Sequence, residues 1–232
     1  TGAPRIVAKR DSLDQQPACF RLDDVTLRGE RPWPLLESVS FDIRRGEILG
    51  IAGIDGNGQK ELAEVIAGQR KLDSGEGFLD DEPVSSLSVA ARQKRGIRYV
   101  TDDRHGEGTV GELSISLNTV LKRVGQRPFW RRSRVRNSLI REFATNLVRE
   151  HDVRTPNGEV PIANLSGGNV QKVVVGRELA LEPRVVVYNK PTYGLDAKTI
   201  KAVLARIVAQ ANQGTVAVLI STELDELIDT CD

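Results

Sequence analysis

Apolar and polar residues alternate over 20–25 and 38–43, the period-two pattern of strands that bury one face and pair antiparallel. The next stretch breaks that alternation. Residues 47–53, Glu-Ile-Leu-Gly-Ile-Ala-Gly, form a short apolar run of the kind expected for a strand covered on both faces. A glycine-rich turn follows, then a helical run over Gln59–Ala67 that Gly68 closes as a C-cap. Over about 113–153 the pattern is mostly helical and rich in Arg, which predicts a separate helical lobe. The last third returns to helix, strand over 185–188, helix over Ala197–Ala211, strand over 215–220 and a final helix. Strands alternating with helices predict a parallel sheet with helices on its faces.

Composition narrows the class. With 232 residues and 39% hydrophobic content the chain buries a substantial core, and one domain with an inserted lobe is the expectation. Lys and Arg total 33 against 32 Asp and Glu, so net charge supplies no field to steer nucleic acid or an acidic surface. Cys19 and Cys231 match no metal or redox spacing and read as incidental thiols of a reducing compartment. No run approaches the roughly 20 apolar residues that cross a bilayer, and the first residues lack the apolar core of a signal peptide. A chain that is soluble or held at a membrane by a partner is expected. It begins with Thr1 rather than Met and stops at Asp232 just past a helical pattern, which reads as a piece of a longer polypeptide.

The first chemical motif is the turn Gly53-Ile54-Asp55-Gly56-Asn57-Gly58-Gln59-Lys60-Glu61. A phosphate-cradling loop needs glycines so that backbone N–H groups face the anion, a Lys for the outer phosphates, and a Ser or Thr for magnesium. The glycines fit, but the lysine position is Gln59 and the hydroxyl positions are Lys60 and Glu61. Lys60 is no substitute, because one residue along a helix turns the side chain by roughly 100°. Glu61 suits the start of a helix dipole and repels phosphate. Taken alone, the loop fits a plain strand-to-helix turn equally well.

The second motif, Leu165-Ser166-Gly167-Gly168-Asn169-Val170-Gln171-Lys172, opens a helix. A serine and paired glycines at a helix start offer an anion a hydroxyl, close backbone approach and the positive end of the dipole. Locally, an ordinary capped helix has the same look.

These residues resemble the ABC ATPase family, in which LSGG followed by Gln or Asn is the signature. Residues 183–196 look like that family's second phosphate motif and the loop after it, and 219–226 its switch segment. Where the family carries an Asp for magnesium and a Glu to activate water, this sequence has Asn189 and Lys190; Thr222 stands where a His contacts the γ-phosphate. The segment Thr101-Asp102-Asp103-Arg104-His105-Gly106-Glu107-Gly108 is similar to a narrower group, the second domain of tandem ATPases from simple-sugar and nucleoside importers. The resemblance covers about 18–232.

The resemblance implies an α/β P-loop NTPase core of RecA-like type with a parallel sheet, an N-terminal antiparallel β subdomain and an inserted helical subdomain. The expected division is 18–110 for the β subdomain and first part of the core, 111–164 for the helical subdomain and 165–232 for the rest of the core, with 1–17 as a linker or tail. It further implies head-to-tail pairing with a second nucleotide-binding domain, fused upstream. Ser166, Gly167, Gly168 and Asn169 would close over ATP whose Mg²⁺ is held mainly by that partner, and Asp196 would couple the two sites. This chain's own loop, from Gly53, Asp55, Gly56, Asn57 and Gly58 to Gln59, Lys60 and Glu61, with Asp102 beside it, would bind nucleotide weakly. With Gln59, Asn189, Lys190 and Thr222 all substituted, no catalytic set is intact in cis and no metal site is expected. The implied partners are transmembrane permease subunits at the cytoplasmic side of the membrane and, indirectly, a periplasmic or lipoprotein solute-binding protein. Nucleic acid is not expected.

Three further readings stay open. The stretch 126–136, with Arg127, Arg131, Arg132, Arg134 and Arg136 around Phe129 and Trp130, fits nucleic acid, anionic lipid or a solvated surface; docking near the membrane leaflet is preferred. Trp33 and Phe20 lie where the family stacks adenine, with a core or surface role the expectation for both. Rival functions are a soluble ABC ATPase acting on nucleic acid or ribosomes, and a non-hydrolysing module that only docks a permease.

Overall fold

The computed structural model describes residues 13, 16–30, 32–132 and 134–232. The expected linker over 1–17 therefore lies outside the described residues apart from Leu13, Gln16 and Pro17. The chain opens with β1 (Ala18–Leu27) and β2 (Leu36–Arg44), antiparallel with Phe20 opposite Ile43. β3 (Ile48–Ala52) leads through the glycine turn into α1 (Gln59–Ala67). β4 (Ser74–Leu79) and β5 (Glu82–Pro83) complete a sheet of order β2-β1-β4-β5. Next come α2 (Val89–Lys94), β6 (Ile97–Val100) and α3 (Ile115–Thr119). A hairpin of β7 (Trp130–Arg131) and β8 (Arg134–Val135) precedes α4 (Asn137–Glu150). Then follow α5 (Gly167–Leu179), β9 (Val185–Asn189), α6 (Ala197–Ala211), β10 (Val216–Ser221) and α7 (Leu224–Thr230).

The central sheet is parallel, of order β3-β10-β9-β6. Every residue of β9 (VVVYN) and β10 (VAVLIS) is buried, because helices or the other sheet cover both faces and leave polar alternation no place. The two faces feed separate cores. Val185 and Val187 pack with Leu62, Val65 and Ile66 of α1 and with the antiparallel sheet. Val186 and Tyr188 face α5 and α6 through Val173, Val174, Leu204 and Ile207.

Two local devices aim α1. Gly68 caps its end in the left-handed region at φ 82°. The buried Arg92 donates from Nη1 to the carbonyls of Val65 and Ile66, at 2.6 and 2.8 Å, placing a cation on the negative end of the helix. The N-terminus of α1 is thereby fixed beneath the glycine turn.

The stretch 113–153 corrects the expectation of a mostly helical lobe. Between α3 and α4 lie a 3-10 turn over Leu121–Arg123 and the β7–β8 hairpin. Here Phe129 is buried with Val120 and Ile140, Phe143 packs at 5.2 Å between ring centroids, and the Arg123 guanidinium stacks 4.7 Å over the Phe129 ring. An aromatic locked in a small core favours the hairpin over a continuous helix. It is also withdrawn from any base-stacking role.

Candidate functional site

The turn after β3 has the backbone shape of a phosphate loop. Gly56 and Gly58 lie at φ 88° and 94°, and a Cβ at Gly58 would stand 2.6 Å from the Leu35 carbonyl, so only glycine fits there. Its interior is taken by the chain itself. Gln59 folds back over the loop: Nε2 donates to the Ile54 carbonyl at 3.1 Å, and Oε1 accepts from the Asn57 N–H at 3.2 Å. A Cβ at Gly53 would collide with that same amide nitrogen.

The charges around the loop are likewise paired within the chain. Lys60 Nζ meets Glu107 at 3.0 Å, with Glu64 at 4.0 Å. Glu107 also accepts from the Thr101 hydroxyl at 2.6 Å. That hydroxyl first, and the Lys60 ammonium after it, hold the Glu107 carboxyl below its ordinary range. At the end of β9, Asn189 Nδ2 donates to Asp102 at 3.0 Å, while Lys190 Nζ lies 2.7 Å from Asp55 and 3.5 Å from Asp102. Burial opposes the Lys190 charge, but the bond to Asp55 and the two carboxylates outweigh it and raise its pKa. An ammonium thus bridges the two acidic groups nearest the loop. This donor set does not fit Mg²⁺, which needs free carboxylate, hydroxyl or water oxygens around it. Among the described residues there is no group of three or more His, Cys, Asp and Glu disposed to hold a metal.

The signature segment is arranged differently. Ser166 precedes α5 in an extended conformation and makes no capping bond with its side chain. Its Oγ accepts from Asn169 Nδ2 at 2.9 Å, which leaves the hydroxyl proton to be given outward. Ser166 is exposed, and the first N–H groups of α5 have no partner inside the helix. Asn169 is fixed by accepting from the Arg154 N–H at 2.8 Å. Gly167 and Gly168 pack on groups of this same chain: Cβ atoms there would stand 3.0 Å from Arg104 Nη2 and 3.1 Å from Thr199 Oγ1.

The remaining residues fall between these two places. Asp196 is the N-cap of α6, accepting from the Lys198 and Thr199 N–H groups, each at 3.1 Å, and from the Thr199 hydroxyl at 2.7 Å. Thr222 is exposed just past β10. Phe20 is 1% exposed and belongs to the core, whereas Trp33 is 61% exposed on the surface. The sequence offered no sign of Glu226, a buried carboxylate that accepts from Thr192 at 2.7 Å and Ser221 at 2.8 Å and so ties the loop after β9 to the end of β10.

A parallel sheet whose first strand runs through a glycine turn into a helix, with an antiparallel sheet on one side and a helical lobe carrying a second helix-start motif, defines a P-loop nucleotide-binding cassette. Solved cassettes have this fold. A nucleotide-free ATP-binding cassette from an ABC transporter superposes with TM-score 0.79 at 19% identity, covering 93% of this chain and 86% of that one. The dimeric structure of a bacterial ABC transporter cassette gives 0.75 at 22% identity, covering 91% of each. The family model for ABC transporter matches residues 36–193, and the chain belongs to the ABC transporter family.

Among curated proteins it is similar to the glucose import ATP-binding protein TsgD13 of Haloferax volcanii, 37% identical over 92% of this chain and 39% of that protein. The guanosine import ATP-binding protein NupO of Bacillus subtilis is 34% identical over 97% of this chain and 44% of its own length. The ribose import ATP-binding protein RbsA of Geobacillus kaustophilus is 34% identical over 92% and 42%. The chain spans less than half the length of these relatives. Among the described residues no helix is long and apolar enough to cross a membrane.

Proposed function

We propose that this chain is an ATP-binding domain of an importer for simple sugars or nucleosides, the second of a tandem pair, and that it completes its partner's ATP site while its own loop does not turn ATP over. One contrast carries the reading. Around the loop the substituted side chains of Gln59, Lys60, Asn189 and Lys190 all find partners within the chain, whereas Ser166 and the start of α5 present unused donors outward. Exposed apolar side chains on the same loops, Ile54 at 76% and Tyr193 at 66%, suit a face that packs on another domain. Relatives more than twice as long as the matched part have room for a second cassette, and their names supply the sugar and nucleoside classes.

In this reading the Ser166 hydroxyl, the N–H groups of Gly167 and Gly168, and the dipole of α5 stabilise the charge of a triphosphate held by the partner domain. Lys190, held protonated, does not act as a base toward water. ATP and Mg²⁺ enter chiefly through the partner, and the helical lobe faces permease subunits at the cytoplasmic side of the membrane. The test is ATPase activity of this chain alone and mixed with a cassette that keeps the family's Lys, Asp, Glu and His. Background hydrolysis alone and ATP-dependent association in the mixture are expected. Robust Mg²⁺-dependent hydrolysis by the isolated chain would overturn the reading, and absence of ATP-dependent association would leave a module that only docks a permease.

A further inference from the structure

The turn 101–109 leaves β6 and reaches both half-sites. It is closed on Asp103, whose carbonyl accepts from the N–H groups of Glu107 and Gly108 at 3.0 and 2.9 Å and whose Oδ1 accepts from Gly106 at 2.8 Å. From one end Glu107 grips Lys60 on α1. From the other, Arg104 crosses to the signature: Nη1 donates to the Tyr193 carbonyl at 2.7 Å, in the loop between β9 and α6. The same guanidinium lies flat against Gly167, with Nη2 at 3.0 Å and Nε at 3.2 Å from where a Cβ would be, and Nη2 at 3.5 Å from the equivalent point on Gly194. The Thr109 hydroxyl fixes the Arg104 backbone by donating to its carbonyl at 2.8 Å. Arg104 keeps this pose although its buried Nε has no acceptor, so packing against the two glycines and the Tyr193 bond set it.

Resting on the composite-site reading above, we propose that Arg104 is a positioning residue for the signature. It seats the start of α5 against the loop 190–196 and thereby fixes where Ser166 and its neighbouring N–H groups stand. A planar guanidinium can lie on a bare backbone and reach a carbonyl beyond it; a lysine ammonium cannot do both. It follows that Gly167 lacks a side chain to admit Arg104 as well as to admit a ligand. It also follows that the altered phosphate loop, through Lys60 and Glu107, anchors the turn that aims the signature.

The experiment is steady-state ATP hydrolysis by the intact transporter in lipid vesicles, comparing Arg104→Gln, Arg104→Lys, Gly167→Ala and Arg104→Gln with Gly167→Ala. Misplacing the signature without touching the partner's own nucleotide contacts should lower kcat on the order of tenfold in both arginine variants, with KM for ATP within about twofold. Gly167→Ala should cost less in the Arg104→Gln background than in the native one, because the colliding group has been removed. Unchanged kcat in Arg104→Gln, rescue by lysine, or strictly multiplicative effects in the double variant would each overturn the proposal. Ser166→Ala separates the two levels. If it cripples turnover while Arg104→Gln does not, the arginine proposal alone fails; if it leaves turnover intact, the composite-site reading fails with it.

Discussion

The glycine turn before α1 and the glycine pair before α5 start from the same physics, a helix N-terminus with bare backbone in front of it, and end in opposite states. At the first, a glutamine amide takes the place in which a ligand would be held, and a lysine ammonium sits between Asp55 and Asp102. At the second, the capping residue turns its hydroxyl outward and side chains of the same chain support the glycines from behind. A helix N-terminus becomes an anion site only where nothing within the chain satisfies it first. Loop shape and loop chemistry are therefore separable.

The comparison breaks most readily at Ser166. Removing a donor aimed at developing charge typically costs 10²–10³ in turnover, so Ser166→Ala should reduce ATP hydrolysis by the intact transporter on the order of 100-fold. Gln59→Ala on the other side should change it by less than about twofold, since that loop is read as not turning over. Steady-state hydrolysis of both variants side by side checks the asymmetry, and equal losses would erase it.

Next in size is the lysine bridge. Lys190→Glu replaces the ammonium by a third carboxylate beside Asp55 and Asp102, and urea unfolding should show a loss of about 1 to 2 kcal/mol, moderated because Asp55 is largely exposed. The same variant builds an acidic cluster that Mg²⁺ can neutralise. Millimolar Mg²⁺ should restore part of the lost stability in Lys190→Glu and leave the native chain unmoved; no difference between the two would show that the ammonium does not stand between these acids.

Why the sequence revealed one side of the comparison better than the other follows from distance along the chain. The strands, α1 with its Gly68 cap, and α6 obey local rules of period and capping, and all appear where the pattern put them. The signature is equally local, with Ser166, Gly167, Gly168 and Asn169 as neighbours. The pairings that fill the loop are not. Lys190 reaches Asp55 across 135 positions, Asn189 reaches Asp102 across 87, and Arg104 reaches the Tyr193 carbonyl across 89. Residue types announced that phosphate and magnesium chemistry had changed at Gln59, Asn189 and Lys190, but only the fold shows what each now holds. The β7–β8 hairpin was missed for a related reason: an Arg-rich pattern resembles an amphipathic helix until Phe129 is seen in its own small core.

A smaller effect sharpens the comparison by substitution rather than loss. Gln59→Lys removes the amide from the loop and returns a cation to the phosphate-facing position. One charge-assisted hydrogen bond gained should tighten nucleotide binding on the order of tenfold. Hydrolysis should stay at background, because Asn189 and Lys190 still occupy the magnesium and base positions. Titration with a fluorescent ATP analogue, followed by a hydrolysis assay on the same sample, reads both; turnover from this single change would mean the base position had been misjudged.

The smallest expected effect is in pH, and its two limits have opposite signs. Glu107 has its pKa lowered by the Thr101 hydroxyl and then by Lys60, so its contribution to stability is present above the ordinary carboxylate value and is lost as pH falls through the lower folded value. Lys60 has its pKa raised by its hydrogen bond to Glu107, so its contribution is present below the ordinary lysine value and is lost as pH rises through the higher folded one. Between those limits the pair is constant. Both side chains are about two-fifths exposed, at 40% and 41%, and solvent screening holds the contribution to about 0.5 kcal/mol. The four signature residues carry no titratable group and add nothing to either limit. Glu107→Gln should therefore flatten part of the acid limb of the stability curve, measured by thermal unfolding against pH. If the native and variant curves run parallel down to the acid transition, the ion pair does not hold the turn to α1.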